Sequence, residues 1–416
     1  MRRVVFVNRY FHPDHSATSQ MASDLAFHLA SRGWEVTAIT SRQRYDDPHA
    51  NLRSSTENGV RVERIWSTRF GRAILPLRAI DYATFYLSAF FAMRRHRDAI
   101  LIAMTDPPLL SVVAALASRN VINWTQDLFP EVAQALGIRA PRFLSRIRDW
   151  SLRRARKNVV LGELMAKRVP KAVVIHNWAD AALGLQASRP PSLQENAGTN
   201  RHPETAKRDE GSQNAKTPSI SRSFAVSAAQ DDVNLGGQAA GRPGGFTVGY
   251  SGNLGRAHDV ETILSAIRML PDVRFVFTGG GAKLDAVRNE GATNIEIRPY
   301  APREALSESL SSVDVHLVSL LPRLEGLIVP SKFYGVLAVA RPVIFIGARD
   351  GELARIIEEH RCGIVVENAN ELANAIRRLA EHRDEAEAMG ARGRALYLAR
   401  FAPERAFAAW EHVLSE

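Results

Sequence analysis

The chain has 416 residues, 45% hydrophobic and 24% charged, with one cysteine and a formal net charge of +10. That length holds two or three domains of ordinary size, and the lone Cys362 excludes a disulfide framework or a cysteine-rich metal site, which suits a reducing cytoplasm. The basic balance points to an anionic partner (nucleotide, nucleic acid or acidic membrane surface) without choosing among them.

The N-terminus, MRRVVFVNRY, offers only the apolar run VVFV, too short for a signal peptide. No stretch approaches the roughly 18–20 apolar residues of a membrane span. RVVFVN over 3–8 predicts a buried strand, then a polar loop with His12, Asp14, His15 and Ser16, then a helix over 20–31 that Gly33 ends. Strands follow at 34–40, 61–66, 99–104, 121–125, 158–162 and 172–177, with helical segments between most of them. Such runs mean parallel βαβ units and a doubly wound sheet, whose ligands bind at the carboxyl ends of the strands.

Two of the intervening segments are basic and amphipathic. Residues 69–97 combine Phe, Tyr and Leu with arginines at both ends. Residues 142–157 set Arg142, Arg146, Arg148, Arg153, Arg154, Arg156 and Lys157 against Asp149, with Phe143, Leu144, Ile147, Trp150, Leu152 and Ala155 on one broad side. Segments of this kind lie on anionic lipid, or pack on the sheet as ordinary crossover helices.

Residues 187–245 are rich in Ser, Pro, Gly, Asn and Gln without periodicity, which predicts a disordered interdomain insert. The alternation restarts with strands at 246–252, 273–279, 295–300, 313–320, 342–347 and 363–368, a helix over 259–269, amphipathic helices at 369–381 and 385–399, and a last segment at 403–415. The domain reading is 1–186, the insert 187–245, a second domain 246–400 and a C-terminal segment 401–416.

The second half holds three candidate anion contacts, all at predicted strand ends. In GYSGNLGRAHD, Gly252 and Gly255 let backbone N–H groups approach a phosphate, while Asn253, Arg256 and His258 supply donors. Gly279, Gly280 and Gly281 form a turn that admits a nucleobase or ribose against bare backbone. Pro330 and Ser331 start and cap a helix over 332–340 that Pro342 stops, and Ser331 and Lys332 bring a hydroxyl and a full charge to its N-terminus. The same three features also read as tight turns and a capped, sheet-packed helix. No GxxxxGK[ST] or HExxH occurs, so neither a Walker loop nor a compact metal site is expected. In the first half, Asp127 with Glu131 follows the 121–125 strand, either as a catalytic acid or as a helix cap.

Taken together, GYSGNLGRAHD, FVFTGGG, PSKFYGVLAVARPVIFIG and HPDHSATSQMASDLAFHLASRGWEVTAIT resemble the GT-B-fold glycosyltransferases of family 4, in the branch that works on bacterial surface polysaccharides. The resemblance implies two Rossmann-like domains facing a cleft and a retaining, metal-independent transfer of a hexosyl or N-acetylhexosaminyl group from a nucleotide sugar. It also implies a saccharide acceptor, lipid-linked, at a site peripheral on the inner face of the membrane, and no cofactor beyond the donor substrate. By position, Asn253 and His258 fall where members carry Arg and Lys on the donor diphosphate, so Arg256 and Lys332 supply the charge here. Glu325 resembles the acid that holds donor-sugar hydroxyls. The ribose acid aligns with Gly335, and the glycine before Pro-Val-Ile is Ala340. Asp127 falls where a polar residue faces the reacting sugar, and the loop 12–19, with His12, Asp14, His15 and Ser16, falls where the acceptor is met. Two other readings remain: a non-catalytic nucleotide-sugar-binding subunit, and a GT-B-type nucleotide-sugar epimerase. Nucleic-acid binding is not expected, because the arginines lack an interleaved aromatic platform.

Overall fold

The computed structural model describes residues 2–14, 16–71, 75–179, 183 and 245–416. His15 and the predicted insert, up to residue 244, lie outside the described residues.

The first half folds as β1 (Arg3–Val7), β2 (Glu35–Ser41), β3 (Ser55–Glu57), β4 (Val60–Ile65), β5 (Ile100–Ala103), β6 (Val121–Thr125), β7 (Lys157–Val160) and β8 (Ala172–Val174). They form one sheet in the order β3-β4-β2-β1-β5-β6-β7-β8, in which only the β3–β4 pairing is antiparallel. The continuous apolar run of β1 reflects burial on both faces. Val4 and Phe6 pack with Leu25 and Leu29 of α1 (Ala17–Ser31). Val5 and Val7 pack with Phe85 of α2 (Leu75–Arg95) and Leu110 of α3 (Leu110–Ala117). The helices α4 (Glu131–Ala135), α5 (Phe143–Arg154) and α6 (Glu163–Ala166) complete this half.

The second half folds as β9 (Thr247–Asn253), β10 (Arg274–Gly280), β11 (Ile295–Arg298), β12 (Val315–Ser319), β13 (Val343–Ile346) and β14 (Gly363–Val366). Its sheet is parallel in the order β11-β10-β9-β12-β13-β14. Its helices are α7 (Val260–Arg268), α8 (Leu284–Asn289), α9 (Leu306–Ser311), α10 (Lys332–Ala338), α11 (Glu352–His360), α12 (Ala369–Glu381) and α13 (Arg383–Leu396). A π turn, Tyr397–Phe401, leads into α14 (Pro403–Ser415). That last helix returns to the first half: its fully buried Trp410 lies 4.8 Å from the Trp124 ring, in the same core as Phe6 and Trp178. A second core is shared by both halves, joining Leu128, Val160 and Met165 to Phe333, Tyr334 and Phe401.

Three local differences from the sequence reading have simple causes. Helix α1 starts at Ala17 rather than 20, directly after Ser16. Helix α10 ends at Ala338 rather than Ala340, before Pro342 is reached. There Arg341 N–H returns to Val336 O and Ala340 N–H to Leu337 O, a Schellman turn with Ala340 at φ +55°. The β3–β4 hairpin was not expected; it turns on Asn58-Gly59, both at positive φ.

Strand order reverses between β1 and β5 and again between β9 and β12. Those switch points are where an open parallel sheet leaves a crevice for ligands. The loops after β1 and β9 are among those that the sequence singles out.

Candidate functional site

At the second switch point the turns after β9 and β10 interlock. Leu254 N–H donates to Gly280 O at 2.7 Å, and Lys283 N–H to Leu254 O at 2.9 Å. A Cβ on Gly279 would lie 2.4 Å from Gly252 O, and one on Gly281 2.5 Å from Leu254 O. These glycines therefore let one turn sit in the other, and the ring of Tyr300 covers Gly280. Gly255 stays open, facing only the Asn253 side chain at 3.5 Å.

Lys332, the first residue of α10, reaches into this turn. Its alkyl chain lies over Gly252, where a Cβ would come within 2.9 Å of Cε. Its ammonium sits 4.2 Å from the centre of the Tyr250 ring and donates to the Tyr250 hydroxyl and, at 2.8 Å, to Asn253 O. The fourth neighbour is His258 Nε2, at 3.3 Å. His258 Nδ1 faces Ser319 O at 2.7 Å, which assigns the proton to Nδ1 and leaves Nε2 as an acceptor. Burial, and then the Lys332 charge, push His258 down to about 3, so it stays neutral. The lysine thus meets neutral acceptors alone, with no carboxylate in salt-bridge range among the described residues, and burial lowers its pKa to about 7. Arg256 is exposed on the same turn and pairs with none of the described residues. Ser331 is the residue before α10 but makes no side-chain capping bond. That corrects the expected capping role: Ser331 adopts helical φ and ψ rather than the extended backbone of a side-chain cap.

Glu325 lies on the loop after β12. Burial, and then the nearby Glu352 charge, raise its carboxyl to about 7, although Oε2 accepts from Glu352 N–H at 3.1 Å. Its Oε1 is buried without a partner. The same loop touches the first half, where Leu128 N–H donates to Leu327 O at 2.9 Å. Asp127, immediately before Leu128, is exposed at the end of β6. Desolvation by the surrounding protein, and then the Asp106 charge, raise its carboxyl to about 6. No helix is capped by the Asp127 side chain; α4 begins after Pro130. At Gly335 a Cβ would meet only Leu310 and Leu183, at 3.5 and 3.9 Å, so nothing steric demands the glycine.

The loop after β1 is of another kind. Asp14 is buried and satisfied from within, accepting from Ser16 N–H at 2.8 Å and from Tyr45 N–H. His12 pairs with Glu57 at 3.3 Å, while the Ser16 hydroxyl is buried without a partner. Sequence reading missed Tyr250 and Ser319, which place Lys332 and His258, because strand residues at alternate positions give no motif.

The two basic amphipathic segments pack inward as crossover helices and also leave apolar side chains exposed. Leu152 and Ala155 of the second segment are buried, while Phe143, Ile147 and Trp150 face outward. Arg148 turns inward to Glu131, at 2.6 Å. On α2, Phe85, Ala89 and Met93 pack inward, and Ile80, Leu87 and Phe91 form an exposed stripe. Helix α3 lies between α2 and α5, and Ser111–Ser151 at 2.9 Å and Arg154 Nε to Ala115 O at 3.0 Å join α3 to α5. Among the described residues no helix is long and apolar enough to cross a membrane, and no cluster of three His, Cys, Asp or Glu side chains is placed to hold a metal.

Comparison with known proteins places each half. The Glycosyl transferase 4-like domain family matches residues 16–178, and the Glycosyl transferases group 1 family matches residues 245–382. The probable glycosyltransferase WbjE of Pseudomonas aeruginosa is 36% identical over 120 residues, 27% of this chain and 30% of that protein. The putative colanic acid biosynthesis glycosyl transferase WcaI of Escherichia coli (strain K12) is 29% identical over 115 residues, 26% of this chain and 28% of that protein. Among solved structures, sucrose-phosphate synthase of Thermosynechococcus elongatus superposes with a TM-score of 0.68 at 14% identity, over 99% of this chain and 98% of that one. Anabaena HepE in complex with UDP-glucose gives 0.65 at 12%, covering 100% of both chains. WaaG, a glycosyltransferase involved in lipopolysaccharide biosynthesis, gives 0.64 at 12%, over 97% and 98%. At such identities the likeness is one of fold.

Proposed function

We propose, for a chain that belongs to the GT-B-fold glycosyltransferases, that it moves a sugar from a nucleotide-sugar donor to a lipid-linked saccharide acceptor in surface polysaccharide synthesis. The observation that carries this reading is Lys332, a cation at the second switch point whose partners are all neutral. An anion is what that position lacks. A nucleoside diphosphate supplies one, and the structurally similar HepE was solved with UDP-glucose.

The mechanism follows from where charge develops. The sugar gains positive charge as the diphosphate departs, so stabilising the leaving phosphate lowers the barrier most. Lys332 and Arg256 do this with the amides of the Gly252–Gly255 turn, and no metal is needed in this reading. Transfer is retaining: the departing phosphate takes the acceptor proton on the face it leaves, so no side chain is assigned as base. Glu325, raised to about 7, is the group that holds donor-sugar hydroxyls, and Asp127 faces the reacting sugar from the other half. The exposed stripes of α2 and α5, flanked by arginines, rest on anionic lipid and bring the acceptor domain to its substrate.

A donor screen tests the reading. Purified protein is incubated with nucleotide sugars, with and without a membrane-lipid extract, and nucleotide release is followed. Release that needs the extract and vanishes in Lys332→Ala is the expected result. Tight donor binding without release would favour a non-catalytic subunit, the reading that the missing ribose acid at Gly335 supports.

A further inference from the structure

We propose that Glu352 is a positioning residue for glycosyl transfer: its carboxylate ties the donor half to the acceptor half where the loop 325–329 meets Asp127. Glu352 opens α11 in the second half, yet both its oxygens are spent on the first. Oε1 accepts from Glu163 N–H at 2.9 Å and Oε2 from Leu164 N–H at 2.8 Å, the leading amides of α6. The residue is 8% exposed, and among the described residues no Lys, Arg or His pairs with it. A buried carboxylate held by backbone amides alone needs both of them, and they need it.

The link continues on either side. The backbone N–H of the same residue donates to Glu325 Oε2 at 3.1 Å, so Glu352 fixes the carboxylate that heads the loop 325–329. Two residues along, Leu327 O accepts from Leu128 N–H at 2.9 Å, beside Asp127. Gly326 packs against the same α6: a Cβ there would lie 3.2 Å from Leu164 O. Loop, latch and α6 therefore form one connected unit across the two halves, and it contains Glu325 and lies next to Asp127. Gly162, just before α6, is the surface that receives the latch. A Cβ on it would stand 2.5 Å from Glu352 Cδ, although its extended backbone, at φ −166°, suits any residue.

Holding reacting groups in register is worth much to a transferase, since a misplacement of about 1 Å costs on the order of 10²-fold in rate. The positioning role rests on the proposed assignment of the loop 325–329 to the donor sugar; the latch itself does not. The test uses full-length Glu352→Ala, Glu352→Gln and Gly162→Ala. In the ligand-free proteins, amide hydrogen exchange is read at Glu163 and Leu164. With a donor found by screening, kcat and donor affinity are read separately.

Exchange at the two amides should rise at least about tenfold in Glu352→Ala, with kcat falling on the order of 10²-fold and donor affinity held within about threefold. Glu352→Gln, whose amide oxygen still accepts, should recover part of the loss. Gly162→Ala should reproduce the fall in kcat with the carboxylate intact, and it carries the test if Glu352→Ala does not fold. Unchanged exchange in Glu352→Ala would overturn the latch. Raised exchange with unchanged kcat, or donor affinity falling in step with kcat, would overturn the positioning role. A silent donor panel would count against the assigned function, and the latch would then be decided by exchange alone.

Discussion

The loops at the two switch points carry similar residues and treat charge in opposite ways. After β1, Asp14 is closed on by Ser16 and Tyr45 amides, His12 faces Glu57, and Arg9 faces Asp81 at 3.7 Å. After β9, Lys332 rests on a ring, a hydroxyl, a carbonyl and a neutral imidazole, and Arg256 beside it is unpaired among the described residues. A loop that answers its own charges is a scaffold that shapes a site. A loop that holds a cation without an anion stores an unfavourable electrostatic state that ligand relieves, which is how a preorganised site is built.

The largest consequence falls on Lys332. Replacing it by alanine should lower turnover by roughly 10²–10³, measured as nucleotide release, while the melting temperature does not fall. The contrast would collapse if the protein unfolded instead. The pH dependence carries the same signature. With a pKa lowered to about 7, the ligand-free lysine is charged below that pH and loses its charge above it. Donor affinity should therefore weaken as pH rises through that value, and calorimetry on Lys332→Met should show this dependence gone. Stability moves the other way. Between about 7 in the folded state and ~10.4 in the unfolded chain, the unfolded state holds the proton and the folded state does not. This group accordingly makes the ligand-free protein more stable as pH climbs through that window, relative to Lys332→Met in urea titrations.

Asp14 should behave as the scaffold does. Asp14→Ala leaves two amides without their acceptor in a buried loop, a cost of about 1–3 kcal/mol, read as a lower urea midpoint. Donor affinity, measured on the same protein, should not move. A loss of donor binding with stability intact would make Asp14 a ligand group and erase the difference between the loops.

Most of the sheet architecture was legible because fully buried parallel strands are continuous apolar runs, as VVFV in β1 and VIFI in β13 show. Lys332 was legible too, since a lysine at the start of a helix after Pro-Ser is a local pattern. The hairpin at Asn58-Gly59 carried a readable turn signal but lies at an edge among polar residues, where no apolar run draws attention. In sequence the three-glycine turn reads as open to ligand. Its interlocking with Leu254 joins segments about thirty residues apart, which local sequence does not encode. The same holds for Glu352, whose partners are backbone amides in the other half, so no side-chain pattern announces them. The return of α14 to the first core depends on Trp410 finding Trp124, again a contact far apart in sequence.

The smallest effect belongs to Arg256, and it sharpens the comparison by separating charge that is held from charge that is only near. Lys332 is half-buried and immobilised by its neighbours, so its attraction for a phosphate acts through protein. Arg256 is exposed, and its attraction acts through water and counterions, where one charged contact contributes about 1 kcal/mol or less. Arg256→Ala should therefore weaken donor binding by no more than about tenfold, and raising the salt from 0.05 to 0.5 M, about a threefold shorter Debye length, should shrink even that. The Lys332→Ala deficit should persist at both salt concentrations. If instead Arg256→Ala were as damaging as Lys332→Ala and insensitive to salt, the arginine would have to fold onto the diphosphate when donor binds. The turn 252–256 would then be a moving clamp rather than a preformed cradle.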